Sequence, residues 1–129
     1  MIENETDVKL ASILFVDDEA DILSTLRRSM RKSQYQCFYA STGEQALAIL
    51  EENIVDIVIS DMKMPEMTGE QLLKEVAHKY PETIRIVLSG FAEDDLVMGA
   101  INQGHIWGFI HKPWNHNELL LSIEQAVFT

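Results

Sequence analysis

Cysteine is nearly missing from this chain, and the single Cys37 excludes both an internal disulfide framework and a cysteine-based metal site. Long apolar runs are missing too. No stretch approaches the roughly 18 residues of a membrane-spanning helix, and the opening "MIENETDVKL" lacks a signal-peptide profile. Positive charge is scarce: 10 Lys and Arg stand against 21 Asp and Glu, for a formal net charge of −11 over 129 residues. Such a balance disfavours nucleic acid or an anionic membrane as a direct partner and suits a metal cation or a basic protein surface. Internal repeats, low-complexity tracts and linkers are also absent. These absences lead us to expect a soluble, cytoplasmic chain with a flexible extension over residues 1–8 and one folded domain over 9–129.

Apolar residues make up 47% of the chain, enough to build a core. Their pattern alternates between two periods. "ASILFV" (11–16), "YQCFYA" (35–40), "VDIVIS" (55–60), "IRIVLS" (84–89) and "IWGFIH" (106–111) are short, β-branched or aromatic runs that predict strands. Between them lie stretches of helical period. Residues 19–33 place Ile22, Leu26 and Met30 four apart, and residues 41–53 group Ala46, Ile49 and Leu50. Thr68 caps a helix burying Leu72, Leu73, Val76 and Ala77 that ends before Pro81; residues 93–104 and 115–127 supply two more. Five β-α repeats with short connections predict an α/β fold, a parallel sheet covered by helices on both faces. Runs that are apolar throughout suit strands buried on both sides.

Open parallel sheets bind ligands beyond the carboxyl ends of their strands. At those ends stand Asp17 and Asp18, Asp61, Ser89 and Lys112, while the second strand ends in Ala40 and Ser41. Two carboxylates 4 Å apart repel by roughly 4 kcal/mol at an effective dielectric near 20, so such a cluster needs an offsetting charge. A hard divalent cation is the natural candidate. Mg²⁺ suits a site of carboxylates and waters, and the lack of nearby His or Cys ligands disfavours zinc. With Lys112 as a second positive charge and Ser89 as a hydrogen-bond donor, the set fits phosphoryl transfer to Asp61.

The segments "FVDDE" (15–19), "ISDMKMPEMTG" (59–69), "VLSG" (87–90) and "HKPW" (111–114), in this order, resemble a two-component response-regulator receiver domain. That resemblance implies a flavodoxin-like fold with five strands in the order 2-1-3-4-5 flanked by five helices. It implies that Asp61 accepts a phosphoryl group from a sensor histidine kinase or a histidine phosphotransfer protein. Asp17, Asp18, Asp61 and the main-chain carbonyl of Lys63 would hold Mg²⁺, for which Mn²⁺ could substitute. Ser89 and Lys112 would assist the transfer, and the Lys112-Pro113 peptide would be cis. Ser89 and Phe109 would form the switch, acting on the face made by the fourth helix, the last strand and the last helix. An output domain, a partner protein or a phosphorylation-dependent homodimer would meet that face. The domain itself would be a signalling element, catalysing only its own phosphorylation and dephosphorylation.

Some positions depart from the commonest pattern. Gly90 stands where alanine is frequent, and Phe109 lacks the hydroxyl of a tyrosine; Lys63 and Phe91 occupy positions that tune phosphoryl lifetime. "HKPWNHNELL" resembles receivers attached to HD-type phosphodiesterases or transcriptional activators, while Trp114 also suits simple packing on the last helix. Two rivals remain at this stage. One is a small phosphatase of the haloacid-dehalogenase type, which also forms an aspartyl phosphate, and the other is a degenerate receiver that only binds a partner. Among other polar residues, His78, His105, His111 and His116 read as surface or loop positions, and Cys37 as a small core residue. Met62, Met64 and Met67 read as packing for the loop over the pocket, and "RRSMRK" (27–32) as a solvated helix face available to a kinase.

Overall fold

A computed structural model describes residues 11–128 of the chain. The expected extension over residues 1–8 lies outside the described residues, as does the side chain of Phe91. Strands and helices alternate in the order β1 (Ser12–Val16), α1 (Ala20–Met30), β2 (Gln36–Ala40), α2 (Gly43–Glu52), β3 (Ile57–Asp61), α3 (Gly69–Lys79), β4 (Ile84–Ser89), α4 (Asp94–Asn102), β5 (Gly108–His111) and α5 (His116–Val127). All pairings are parallel, and the sheet order is β2-β1-β3-β4-β5, as the resemblance implied. No helix among the described residues is long and apolar enough to cross a membrane.

The period of two in each strand sorts the core into two layers. Leu14, Val16, Val58 and Val87 face one way and pack with Leu50 of α2, Leu73 of α3 and Val97 of α4. Ile13, Phe15, Ile57, Ile59, Leu88 and Ile110 face the other way and meet Leu26 of α1 with Leu119 and Ile123 of α5. Helices therefore cover both faces. Because β1 connects outward to β2 and then back across to β3, the chain reverses direction between β1 and β3. Such a reversal opens a crevice at the carboxyl ends of those two strands.

The helix starts are set by local chemistry. Thr68 and Gln71 form a reciprocal capping box on α3, Asn115 and Glu118 form another on α5, and the Thr42 hydroxyl accepts from the Gln45 amide on α2. A short 3₁₀ turn, Phe91–Glu93, leads into α4. At the far end of α4, Gly104 has φ of +79° and its N–H donates to Ile101 O at 2.9 Å, while the His105 N–H donates to Ala100 O at 3.0 Å. Those two bonds make a Schellman stop, so the helix is shorter than the 93–104 expected.

Two strands are also displaced from expectation. β3 begins at Ile57 because Asp56 is committed to the end of the sheet, where its carboxylate accepts from the Ser12 amide at 2.8 Å. It runs on to include Asp61, which lies opposite Leu88 of β4. β5 begins at Gly108, since Ile106 buries itself under the α2–α3–α4 layer and the Trp107 N–H caps Arg85 O at 2.7 Å.

Candidate functional site

Asp17, Asp61 and Lys112 each extend a row of apolar side chains that faces α1 and α5: Ile13–Phe15, Ile57–Ile59 and Ile110 respectively. Alternation thus delivers two carboxylates and an ammonium to one side of one rim. The Lys112 Nζ donates to Asp61 Oδ1 at 2.9 Å and to Asp17 Oδ2 at 3.3 Å. Asp17 is fully buried, and its other oxygen accepts from the Glu19 amide at 2.9 Å. Asp61 is buried at the crevice, whereas Asp18 is exposed at its lip. The peptide between Lys112 and Pro113 is cis, as expected.

The electrostatics follow from this packing. Burial pushes the Asp61 carboxyl up from 3.8 to about 6; the Lys112 hydrogen bond opposes that, and the charges of Asp17 and Asp18 add to it. For Lys112, burial alone would lower the ammonium, yet the hydrogen bond to Asp61 and the charges of Asp17 and Asp61 prevail and raise it. Lysine therefore offsets part of the carboxylate repulsion, acting as the second positive charge expected beside a cation. One oxygen from each of Asp17, Asp18 and Asp61 lies within 4.8 Å of the others. Three hard oxygen donors so close together, one on the open lip, fit a small divalent cation that keeps several waters.

Ser89 ends β4, one residue beyond the Asp61–Leu88 pair. It belongs to the opposite row, after Val87, and so approaches the crevice from the α4 side. Its hydroxyl is buried and has no hydrogen-bond partner among the described residues. A buried hydroxyl left unpartnered costs about 1–3 kcal/mol, which marks Ser89 as a group awaiting an acceptor.

Phe109 sits opposite Val87 on the same face as Ser89, but its ring points outward, 40% exposed, with its centroid 4.9 Å from the His111 ring. Lys63 extends into solvent from the loop after β3, with Nζ 3.9 Å from Glu93 Oε2. Glu93 in turn accepts from the Gly90 amide at 3.1 Å. Met62 and Met64 are buried beneath this loop, as expected of its methionines.

Several other expectations change here. His111 is neither a surface nor a loop residue: it ends β5, half-buried, and its Nε2–H donates to Asp94 Oδ1 at 2.8 Å. Cys37 is only half-buried, on edge strand β2, against the α1–α5 layer. Trp114 packs against that same layer and lines a groove with Ile22, Thr25, Lys112 and Pro113. Arg27, Arg28, Arg31 and Lys32 are exposed, but the Arg27 guanidinium also lies 4.6 Å above the Tyr39 ring.

Two features of the site escaped sequence reasoning. The first is Gly69, whose Cα abuts the Asp61 main chain so closely that no Cβ would fit. The second is the turn before it, where Glu66 has φ of +67° and the Met67 N–H donates to Pro65 O at 2.7 Å. A Met-Pro-Glu-Met-Thr-Gly run signals a tight turn, but no sequence pattern gives the closeness of approach.

Residues 13–124 match the response regulator receiver domain family. The chain is 34% identical over 119 residues to the hydrogenase transcriptional regulatory protein HoxA of Cupriavidus necator, covering 92% of this chain and 24% of that protein. It is 34% identical over 129 residues to the sensor kinase CckA of Brucella abortus, covering 98% of this chain and 14% of that one. The chain thus spans a quarter or less of these curated relatives. Among solved structures, the signal receiver domain of an HD domain-containing protein from Pseudomonas fluorescens Pf-5 is 38% identical with a TM-score of 0.85, covering 91% of this chain and 94% of that one. An uncharacterized protein from Neptuniibacter caesariensis is 36% identical with a TM-score of 0.88, covering 92% and 88%.

Proposed function

The chain belongs to the response regulator receiver domain family of two-component signalling, and from that premise we propose that Asp61 accepts a phosphoryl group from a phosphohistidine donor. The donor would be a sensor histidine kinase or a histidine phosphotransfer protein. One observation carries the reading: the Lys112 ammonium bridges Asp61 and Asp17 at the rim where Ser89 ends β4, with the buried Ser89 hydroxyl unpartnered among the described residues.

The ionised Asp61 carboxylate attacks phosphorus, and an O–P bond forms as the donor's P–N bond breaks. Lys112, the residue after β5, keeps its charge at the reacting oxygen and would accompany the phosphoryl oxygens once they arrive. Ser89 would turn its hydroxyl toward the same oxygens and so vacate space that the Phe109 ring can enter. Asp17, Asp18, Asp61 and the Lys63 carbonyl would hold Mg²⁺ or Mn²⁺, which supplies positive charge to the phosphoryl group. The low-dielectric walls beneath the crevice strengthen each of these interactions.

Phosphorylation would then alter the surface around α4, β5 and α5, where α4 exposes Leu96 and Met98 and β5 exposes Phe109. An output domain, a partner protein or a second copy would read that surface. The HD-domain and transcriptional-regulator relatives support an output of one of those kinds.

Acetyl phosphate with Mg²⁺, followed by intact mass measurement, tests the chemistry. The wild-type chain should gain one phosphoryl group that hydroxylamine removes, and Asp61→Asn should gain none while keeping its fold. Full phosphorylation of the Asp61→Asn chain would overturn the assignment.

A further inference from the structure

Of the three acidic residues that open α4, two are tied down. Glu93 holds the Gly90 amide, while Asp94, the first residue of the helix, accepts from His111 across the edge of the sheet at 2.8 Å. The donor is the same imidazole against which the Phe109 ring rests edge-on, with 61° between the ring planes. His111 is also the register partner of Ser89, and the next amide along, that of Lys112, donates to the Ser89 carbonyl at 2.8 Å. One side chain therefore touches the start of α4 and the ring of Phe109, and its backbone neighbours Ser89.

We infer that His111 and Asp94 form a latch that holds the unphosphorylated conformation. The inference rests on the phosphoacceptor reading above. For Phe109 to turn inward behind a moving Ser89, its ring must leave the His111 imidazole. As Ser89 and Gly90 move toward the crevice, the chain that enters α4 moves with them, and Asp94 is drawn off His111. Both motions break contacts that His111 makes. Nothing in the transfer chemistry needs a carboxylate at 94 or an imidazole at 111; what the pair supplies is a penalty on leaving the resting state. His111 is thus a positioning residue for the switch, and it acts without touching the phosphoryl group.

The whole chain, ¹⁵N-labelled and titrated with beryllofluoride and Mg²⁺ as a mimic of the aspartyl phosphate, tests this. In His111→Leu, amide signals of residues 89–102 should move, without mimic, toward the positions of the mimic-bound wild type. The apparent affinity for the mimic should rise about fivefold, the factor one side-chain hydrogen bond represents. His111→Gln, whose terminal NH₂ stands near the Nε2 position, should remain close to wild type. Asp94→Ala removes the acceptor from a half-exposed helix terminus without touching the sheet and should reproduce the His111→Leu shift. Combining the two changes should add little, since both break the same hydrogen bond and a leucine at 111 still offers the Phe109 ring an apolar neighbour. Mimic-free spectra at wild-type positions with unchanged affinity, or fully additive effects, would overturn the latch. A wild-type chain that does not bind the mimic would instead overturn the phosphoacceptor reading, so the two failures are distinguishable.

Discussion

Gly69 stands against the main-chain carbonyl of Asp61 so tightly that an added Cβ would meet the carbonyl oxygen and lie 2.8 Å from its carbon. The first turn of α3 therefore rests directly on the end of β3, and the Gly69 N–H donates to Met62 O at 2.9 Å. Backbone against backbone cannot yield as a side chain can. Gly69→Ala should destabilise the protein by about 2 kcal/mol despite alanine's better helix propensity, because the strand end or the helix must shift. Gly43 offers the control: a Cβ there meets the Met67 side chain first, with the movable Sδ nearest at 2.5 Å. Urea midpoints should fall clearly for Gly69→Ala and by less than half as much for Gly43→Ala. Equal midpoints would show that the contact at Asp61 is not a constraint.

The raised Asp61 carboxyl predicts a pH dependence in metal-free protein. A folded value near 6 against 3.8 means the native state binds the proton more tightly than the unfolded chain does. The associated stability is fully present below pH 3.8 and is lost as pH rises through about 6. At roughly 1.4 kcal/mol per pH unit of displacement, the loss is about 3 kcal/mol. Asp61→Asn has no such proton to lose. Denaturation in EDTA should therefore show Asp61→Asn gaining on wild type between about pH 4 and pH 7. A stability difference that stays flat across that range would contradict the burial argument.

Asp18 tests the cation. Its carboxylate lies on the exposed lip, so removing it leaves the buried Lys112 network untouched while reducing the negative charge facing Asp61. Asp18→Ala should abolish most of the rise in melting temperature that Mg²⁺ gives the wild type, since one of three clustered oxygen donors is gone. Without Mg²⁺ the same variant should melt no lower than wild type. A lower melting temperature in EDTA would mean that Asp18 supports the fold and does not merely burden it.

How much of this was legible in the sequence follows from what each feature depends on. Asp17, Asp61 and Lys112 were readable because parallel strands all end at one rim, and a polar residue closing an apolar run stands out. The strand order came from family resemblance, and pairing then put β3 one residue further along, with Asp61 inside it. The responsive face shows what element boundaries alone leave open: Val97 and Ala100, three apart on α4, both point into the core, and Leu96 and Met98 are the exposed pair. Helical phase held that information. The Asp94–His111 bond and the Gly69 contact were not legible at all, because each depends on how closely a helix end approaches a strand, and sequence spacing does not encode that distance.

The last prediction concerns how far the switch can be driven by ring burial alone. Phe109 is 40% exposed, so turning it inward buries only the remainder of a side chain whose full burial is worth roughly 1.5–3 kcal/mol. The gain is about 1 kcal/mol, a fivefold bias. Carrying a two-state equilibrium from one side to the other needs about 5.5 kcal/mol. On the proposed reading, most of the drive would come from the phosphoryl group itself, through the buried Ser89 hydroxyl that would gain an acceptor and the Lys112 ammonium that would gain charge to pair with. Phe109→Ala should therefore keep a mimic-induced response near Ser89 and weaken it over α4. Ser89→Ala should lose the response at both places, with mimic affinity reduced by about tenfold. In wild type, beryllofluoride with Mg²⁺ should perturb backbone NMR signals across residues 89–114 more than across residues 20–53. Larger changes on α1 and α2, or an undiminished α4 response in Ser89→Ala, would mean the signal leaves the crevice by another route.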